Sequence, residues 1–175
     1  RINFHDNDFE VLPVIISPDR KKQLNDNLMM FFTGFTRFSS EMQKTNDVTA
    51  ADKRAQLREM LALVDDAEQI LTNKASNLDD FGRLLHHTWQ LKQQTGSKIS
   101  TDCIDELYSK AIKAGALGGK LLGAGGGGFL VFYVQPEKQA SVKQAMQDLM
   151  QVPFQFENGG TRIIHYTPES YVPKK

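Results

Sequence analysis

The stretch Lys120-Leu121-Leu122-Gly123-Ala124-Gly125-Gly126-Gly127-Gly128 holds the residue types and spacing best suited to chemistry in this sequence, with five glycines in six positions. Glycine gives up more conformational freedom on folding than any other residue, so such a run needs a physical reason. Either the backbone takes positive φ at several positions, or another body comes too close for a Cβ. Both suit a loop whose amide N–H groups wrap an anionic ligand. The plainer alternative is a tight crossover of two packed backbone segments. Lys120 would set a positive charge beside a phosphate, or stand solvated at a strand end. Arg37, after Thr33-Gly34, could grip a phosphate bidentately with its planar fork, or lie on the surface at a helix start. Thr33 and Thr36 could donate hydroxyls, but turns and caps use them equally well.

Three familiar glycine loops fit less well. Gly123, Gly125 and Gly128 have the spacing of the dinucleotide fingerprint, which needs a helix directly after the loop. Here Phe129-Leu130-Val131-Phe132-Tyr133-Val134 follows, six apolar residues that read as a strand. The protein-kinase loop shares the strand–turn–strand shape, but no Val-Ala-Ile-Lys, His-Arg-Asp or Asp-Phe-Gly follows. A Walker loop fails because no Gly-Lys-Ser/Thr closes the run.

Other reactive residue types read as structural. His86 and His87 are adjacent on a helix and cannot share one face. Cys103 has no base near it in sequence and is expected to be a buried, inert thiol. Asp65-Asp66, Asp79-Asp80 and Asp105-Glu106 point about 100° apart on a helix and serve as solvated or helix-end charges. Trp89 is expected in the core or between lobes. Lys92, three residues later, reads as a helix-surface residue, with a ligand contact as the alternative.

The elements that position these residues follow from periodicity. Glu10 to Ile16 is a short β-branched run, and Pro13 suggests an edge strand. Ser17-Pro18 is an N-cap followed by proline at N1. Leu28 to Thr33 suits a buried strand, ended by Gly34. Leu57, Met60, Leu61, Val64 and Leu71 share one helix face and are expected to be core, with Thr49 starting that helix. Asn77 caps a second helix through Leu91, stopped by Gly96. Ile104, Leu107, Tyr108 and Ala111 line a third helix, ending at Gly115. Phe129 to Val134 suits a central strand covered on both faces. Pro136 opens a helix that turns Val142, Ala145, Met146 and Leu149 inward. Phe154 to Tyr166 around Asn158-Gly159-Gly160 signals a hairpin. Strict βαβ alternation is missing, so the fold class is α+β with helices on one face of the sheet.

The chain of 175 residues balances 21 Lys+Arg against 21 Asp+Glu, which argues against nucleic acid or an anionic membrane as the main partner. A single Cys excludes a disulfide scaffold and a Cys-rich zinc site. With no apolar span of about 20 residues and no apolar leader at Arg1, the expected setting is cytoplasmic. A start at Arg rather than Met suggests a fragment.

Gly118-Gly119-Lys120-Leu121-Leu122-Gly123-Ala124-Gly125-Gly126-Gly127-Gly128-Phe129 resembles the third motif of the GHMP kinases. Thr33-Gly34-Phe35-Thr36-Arg37, Trp89-Gln90-Leu91-Lys92 and Ile104 to Tyr108, leading to Ala114-Gly115-Ala116, resemble its D-glycero-D-manno-heptose 7-phosphate kinase branch. The likeness runs from about Glu10 to Tyr166. It implies a ferredoxin-like antiparallel sheet with helices, covering residues 36–175. Residues 1–35 would be a remnant of the N-terminal lobe. It further implies an ATP- and Mg²⁺-dependent sugar 1-kinase. The family's Gly-Leu-Gly-Ser-Ser phosphate loop is missing, and so is its base. The resemblance therefore implies a fragment inactive alone, with no catalytic or metal-ligating residue of its own and prone to self-association without its other lobe. The residues it places near substrate and phosphate are Gly123, Ala124, Gly125, Gly126, Gly127, Gly128, Lys120, Arg37, Thr33 and Gly34. The alternatives are a non-catalytic ligand- or partner-binding domain, and a GHMP kinase for fucose, galactose or a mevalonate-type substrate.

Overall fold

The computed structural model describes residues 1–34, 50–94, 102–123, 127–159, 163 and 165. Its elements run β1 (Ile2–Phe4), β2 (Phe9–Val11), α1 (Pro18–Asp26), β3 (Leu28–Phe32), α2 (Ala50–Thr72), α3 (Asp79–Gln94), α4 (Asp102–Lys113), β4 (Gly118–Leu122), β5 (Phe129–Tyr133), α5 (Pro136–Ala145) and β6 (Met150–Gln151). β1 and β2 form a separate antiparallel pair. The main sheet is antiparallel with order β4-β5-β3-β6. The α+β expectation holds. β3 pairs with β5 and β6, so this one sheet takes strands from both sides of residue 35.

Local signals explain most starts and stops. The Ser17 hydroxyl accepts from the Arg20 N–H, with Pro18 at the head of α1. The Asn77 side chain accepts from the Asp79 N–H at the start of α3, and Asp79 and Asp80 sit at its positive end. After α4, Gly115 takes φ +115° and turns the chain into β4. The last-turn carbonyls of α2 have no partner within their own helix. The buried Arg20 guanidinium supplies one, donating to the carbonyls of Ile70, Leu71 and Ser76.

Side chains alternate across a strand, and the alternation sorts the core into two clusters. Met29, Phe31, Leu121, Leu130 and Phe132 face one way, against Trp89, Ile104, Tyr108, Ala111, Val142 and Met146. Tyr133 faces the other way with Leu24 and Leu78, and with partly buried Leu28, Leu71, Phe81 and Leu85. Helices thus touch both faces rather than one. The second face is covered at the Tyr133 end, while Leu122 and Phe129 at the other end remain 37% and 36% exposed.

Four expectations need correction. Leu57, Leu61 and Val64 on α2 are exposed rather than core. Periodicity identifies the common face of a helix, but not what lies against it. Instead, α2 meets the N-terminal pair through Arg1, whose guanidinium bonds Asp65 and Glu68 at 2.6 and 2.8 Å. Cys103 is exposed on α4, beside the buried Ile104 and one position off the apolar face. The strand near Pro13 is shorter and earlier, Phe9–Val11. Among the described residues, Phe154 to Phe156 pairs with no strand. It runs along α1, where Asn25 accepts from the Phe156 N–H at 3.0 Å and donates to the Phe154 carbonyl at 3.5 Å. The far arm of the expected hairpin lies largely outside the described residues, as do Thr49 and Gly96.

Candidate functional site

One end of the sheet gathers the ends of three strands. The register sets Phe32 opposite Phe129, and Phe129 opposite Leu122. Thr33 and Gly34, Gly123, and Gly127 and Gly128 therefore leave the sheet side by side. Resemblance alone related Thr33-Gly34 to the glycine run, and the antiparallel pairing makes them neighbours.

Thr33 and Gly128 lock that junction. The Thr33 N–H donates to the Gly128 carbonyl at 2.9 Å. The Thr33 hydroxyl donates to the same carbonyl at 3.0 Å and accepts from the Gly128 N–H at 3.1 Å. Thr33 is buried, so its hydroxyl serves the loop's foot rather than a ligand.

The glycines divide into two physical kinds. Gly34, Gly123 and Gly128 take φ of +77°, +96° and +106°, a region other L-residues enter at a cost. Among the described residues, a Cβ on Gly34 or Gly123 would meet nothing within 4 Å. Gly118 and Gly119 are the opposite case. A Cβ on Gly118 would lie 2.0 Å from the Gly82 carbonyl and 2.6 Å from the His86 nitrogen. One on Gly119 would lie 2.4 Å from Phe132. The close-packing explanation thus belongs to Gly118, which lets α3 lie directly on β4, and to Gly119, which makes room for Phe132 of the neighbouring strand.

Around the junction, Lys120 is exposed on β4. Lys92, in the last turn of α3, is half-buried. Burial pushes its ammonium below the ordinary lysine range, and the neighbouring charge of Lys120 pushes it further. Trp89 is buried, stacked on Tyr108 with ring centroids 5.2 Å apart, and so serves the core. The Tyr108 hydroxyl accepts from the Gly119 N–H at 3.1 Å and lies 3.0 Å from the His86 ring. His87 pairs instead with Glu59. Ala124, Gly125, Gly126, Thr36 and Arg37 lie outside the described residues.

An anion can use such a site. Gly123 and Gly128 take positive φ on either side of the loop, a backbone conformation suited to presenting N–H groups to an anion, and Lys120 stands exposed three residues before Gly123. Among the described residues, no group of three or more His, Cys, Asp or Glu comes together to hold an ion.

Residues 63–152 match the family described as GHMP kinases C terminal. The chain belongs to this family. Its likeness to a D-glycero-alpha-D-manno-heptose 7-phosphate kinase of Campylobacter jejuni is 32% identity over 142 residues, covering 77% of this chain and 41% of that protein. A mevalonate kinase of Thermococcus onnurineus is 38% identical over 87 residues, covering 48% of this chain and 25% of the relative. The crystal structure of the Methanococcus jannaschii mevalonate kinase superposes with a TM-score of 0.66 at 22% identity, over 86% of this chain and 45% of that one. That similarity speaks to the fold alone. This GHMP kinase chain spans about two-fifths of the heptose kinase it matches. Among the described residues, no helix is long and apolar enough to cross a membrane.

Proposed function

We propose that this chain supplies the C-terminal half of the active site of a cytoplasmic, ATP-dependent sugar kinase. The acceptor would be the C1 hydroxyl of heptose 7-phosphate. The observation that carries the reading is the glycine turn, open at Gly34 and Gly123 and clamped at its foot by Thr33 and Gly128. Identity to the C. jejuni heptose kinase over most of this chain favours the acceptor.

ATP supplies the transferable phosphoryl group when bound. The part played by this chain is positioning and charge, which dominate phosphoryl transfer. Gly123 to Gly128 lay bare main chain against phosphate oxygens, and Lys120 and Arg37 hold anionic oxygens. Mg²⁺, when bound with ATP, would neutralise phosphate charge. A further lobe would supply the remaining groups and cover the exposed apolar residues of the N-terminal pair. The chain alone would be inactive.

A second reading keeps the kinase chemistry and changes the acceptor, on the strength of identity to a mevalonate kinase. A third is a domain that binds without catalysis. The test is phosphoryl transfer by the polypeptide of the complete reading frame, offered heptose 7-phosphate, fucose, galactose and mevalonate with ATP. Transfer to heptose 7-phosphate is expected, and Gly126→Val should lower turnover about a hundredfold by displacing the reactants. Unaltered turnover in that variant removes the claim of close backbone approach. No transfer to any acceptor leaves the binding reading.

A further inference from the structure

α2 turns one side to α3 and leaves the other bare. Leu63, Ala67 and Ile70 lie on the covered side and are partly buried. Leu57, Leu61 and Val64 recur at i, i+4 and i+7 on the opposite side, where Leu61 is 68% exposed. At 3.6 residues per turn, Leu57, Val64, Arg54, Arg58, Asp65 and Glu68 all fall within about 60° of Leu61. Along the helix, the bare face therefore presents two cations, an apolar centre and two carboxylates.

We propose that this face is a homodimer interface, in which α2 packs antiparallel on α2 of a second copy about a two-fold axis at Leu61. A two-fold contact needs a self-complementary surface. Arg54 and Glu68 stand equally far from Leu61, about 10 Å along the axis on either side. The axis thus sets Arg54 opposite Glu68 of the second copy and Arg58 beside its Asp65, while Leu57 and Val64 close over Leu61. The inference does not depend on the kinase reading.

Within one chain this charge pattern is unfavourable. Arg54 and Arg58 are like charges at i, i+4, and Asp65 and Glu68 at i, i+3. Among the described residues, no carboxylate forms an ion pair with either Arg54 or Arg58. Asp65 and Glu68 share a single guanidinium, that of Arg1, and the Asp65 side chain stays 63% exposed. One negative charge is left over at that end. An antiparallel copy answers both ends at once, whereas a parallel one would set like charges together. The apolar centre supplies the affinity, and exposed ion pairs fix orientation more than strength. One helix pair buries little area, so dissociation in the micromolar range is expected.

The experiment is sedimentation velocity of the complete gene product across a concentration series. Two doubly substituted variants are compared with it, Arg54→Glu with Arg58→Glu, and Asp65→Lys with Glu68→Lys. Each variant alone sets like charges against each other at both ends and should dissociate about tenfold more readily than wild type. Mixed in equal amounts, the two restore opposite charges at both ends, and dimer should return to near the wild-type level. The first variant leaves the Arg1 contact intact, so it tests the interface even where the second unfolds. A complete wild-type protein that stays monomeric at about 100 µM, a hundredfold above a micromolar dissociation constant, overturns the proposal and leaves the face to the further lobe. An arginine variant that dimerises as wild type does also overturns it. A mixture of two folded variants that stays monomeric overturns the antiparallel pairing.

Discussion

Thr33 and Gly128 are joined by three hydrogen bonds, all between 2.9 and 3.1 Å, across the junction of β3 and β5. One side chain thus closes the foot of the glycine turn, satisfying both the N–H and the carbonyl of a residue held at φ +106°. Thr33→Val keeps the shape and removes the hydroxyl, leaving the Gly128 N–H without its partner. We expect a loss of about 1–3 kcal/mol in denaturant unfolding, with Thr33→Ser close to wild type. Equal stability of the Val variant would show that the hydroxyl does not hold the turn.

The two kinds of glycine should respond differently to alanine. Gly118→Ala sets a Cβ 2.0 Å from a backbone carbonyl of α3, which cannot yield without moving the helix. A loss above about 3 kcal/mol, or failure to fold, is expected. Among the described residues, Gly123→Ala meets nothing within 4 Å and carries the cost of its left-handed φ, about 1–2 kcal/mol. Thermal unfolding of the two variants side by side checks the order, and a reversed order contradicts the packing described.

Tyr133 is fully buried. Its hydroxyl accepts from the Asn27 amide at 2.7 Å and donates to Asp79 at 3.1 Å. Burial pushes it from 10.0 up to about 12. The folded chain therefore keeps this proton after the unfolded chain has lost it. By linkage, the contribution to stability is whole below pH 10 and declines as pH rises from 10 toward about 12. Burial raises Tyr108 as well. Denaturant midpoints measured across this window should fall with pH, and Tyr133→Phe should flatten the fall. A flat wild-type profile contradicts the burial of these hydroxyls.

Much of this was legible in the sequence, and the gaps have physical causes. Caps are local chemistry, so Ser17-Pro18 and Asn77 marked their helices correctly. The uninterrupted apolar runs at Leu28 and Phe129 marked the two strands that lie inside the sheet. Partners distant in sequence were not legible. Nothing near Leu57 or Leu61 tells that their face lies uncovered, and nothing near Phe154 tells that Asn25 will take its backbone bonds. Gly118 and Gly119 stand next to the loop in sequence but answer to α3 and to Phe132 in space. Lys92 reads as a surface residue from helix periodicity, and the Lys120 charge that acts on it comes from 28 positions away.

The exposed apolar residues predict behaviour in solution. With Leu57, Leu61, Phe4 and Phe9 between 51% and 81% exposed, the chain on its own should associate as its concentration rises. Sedimentation velocity checks this, and Leu57→Gln with Leu61→Gln should shift the distribution toward monomer. A wild-type chain that stays monomeric at high concentration contradicts the expectation.

The central claim is that bare main chain at the end of the sheet receives a phosphate. Amide NMR of the complete gene product, titrated with ADP and then heptose 7-phosphate, tests it most directly. The account predicts large shifts of the Gly123 and Gly127 N–H signals, with Gly82 and Gly118 unmoved. Saturating ligand that leaves those two loop amides in place would contradict it.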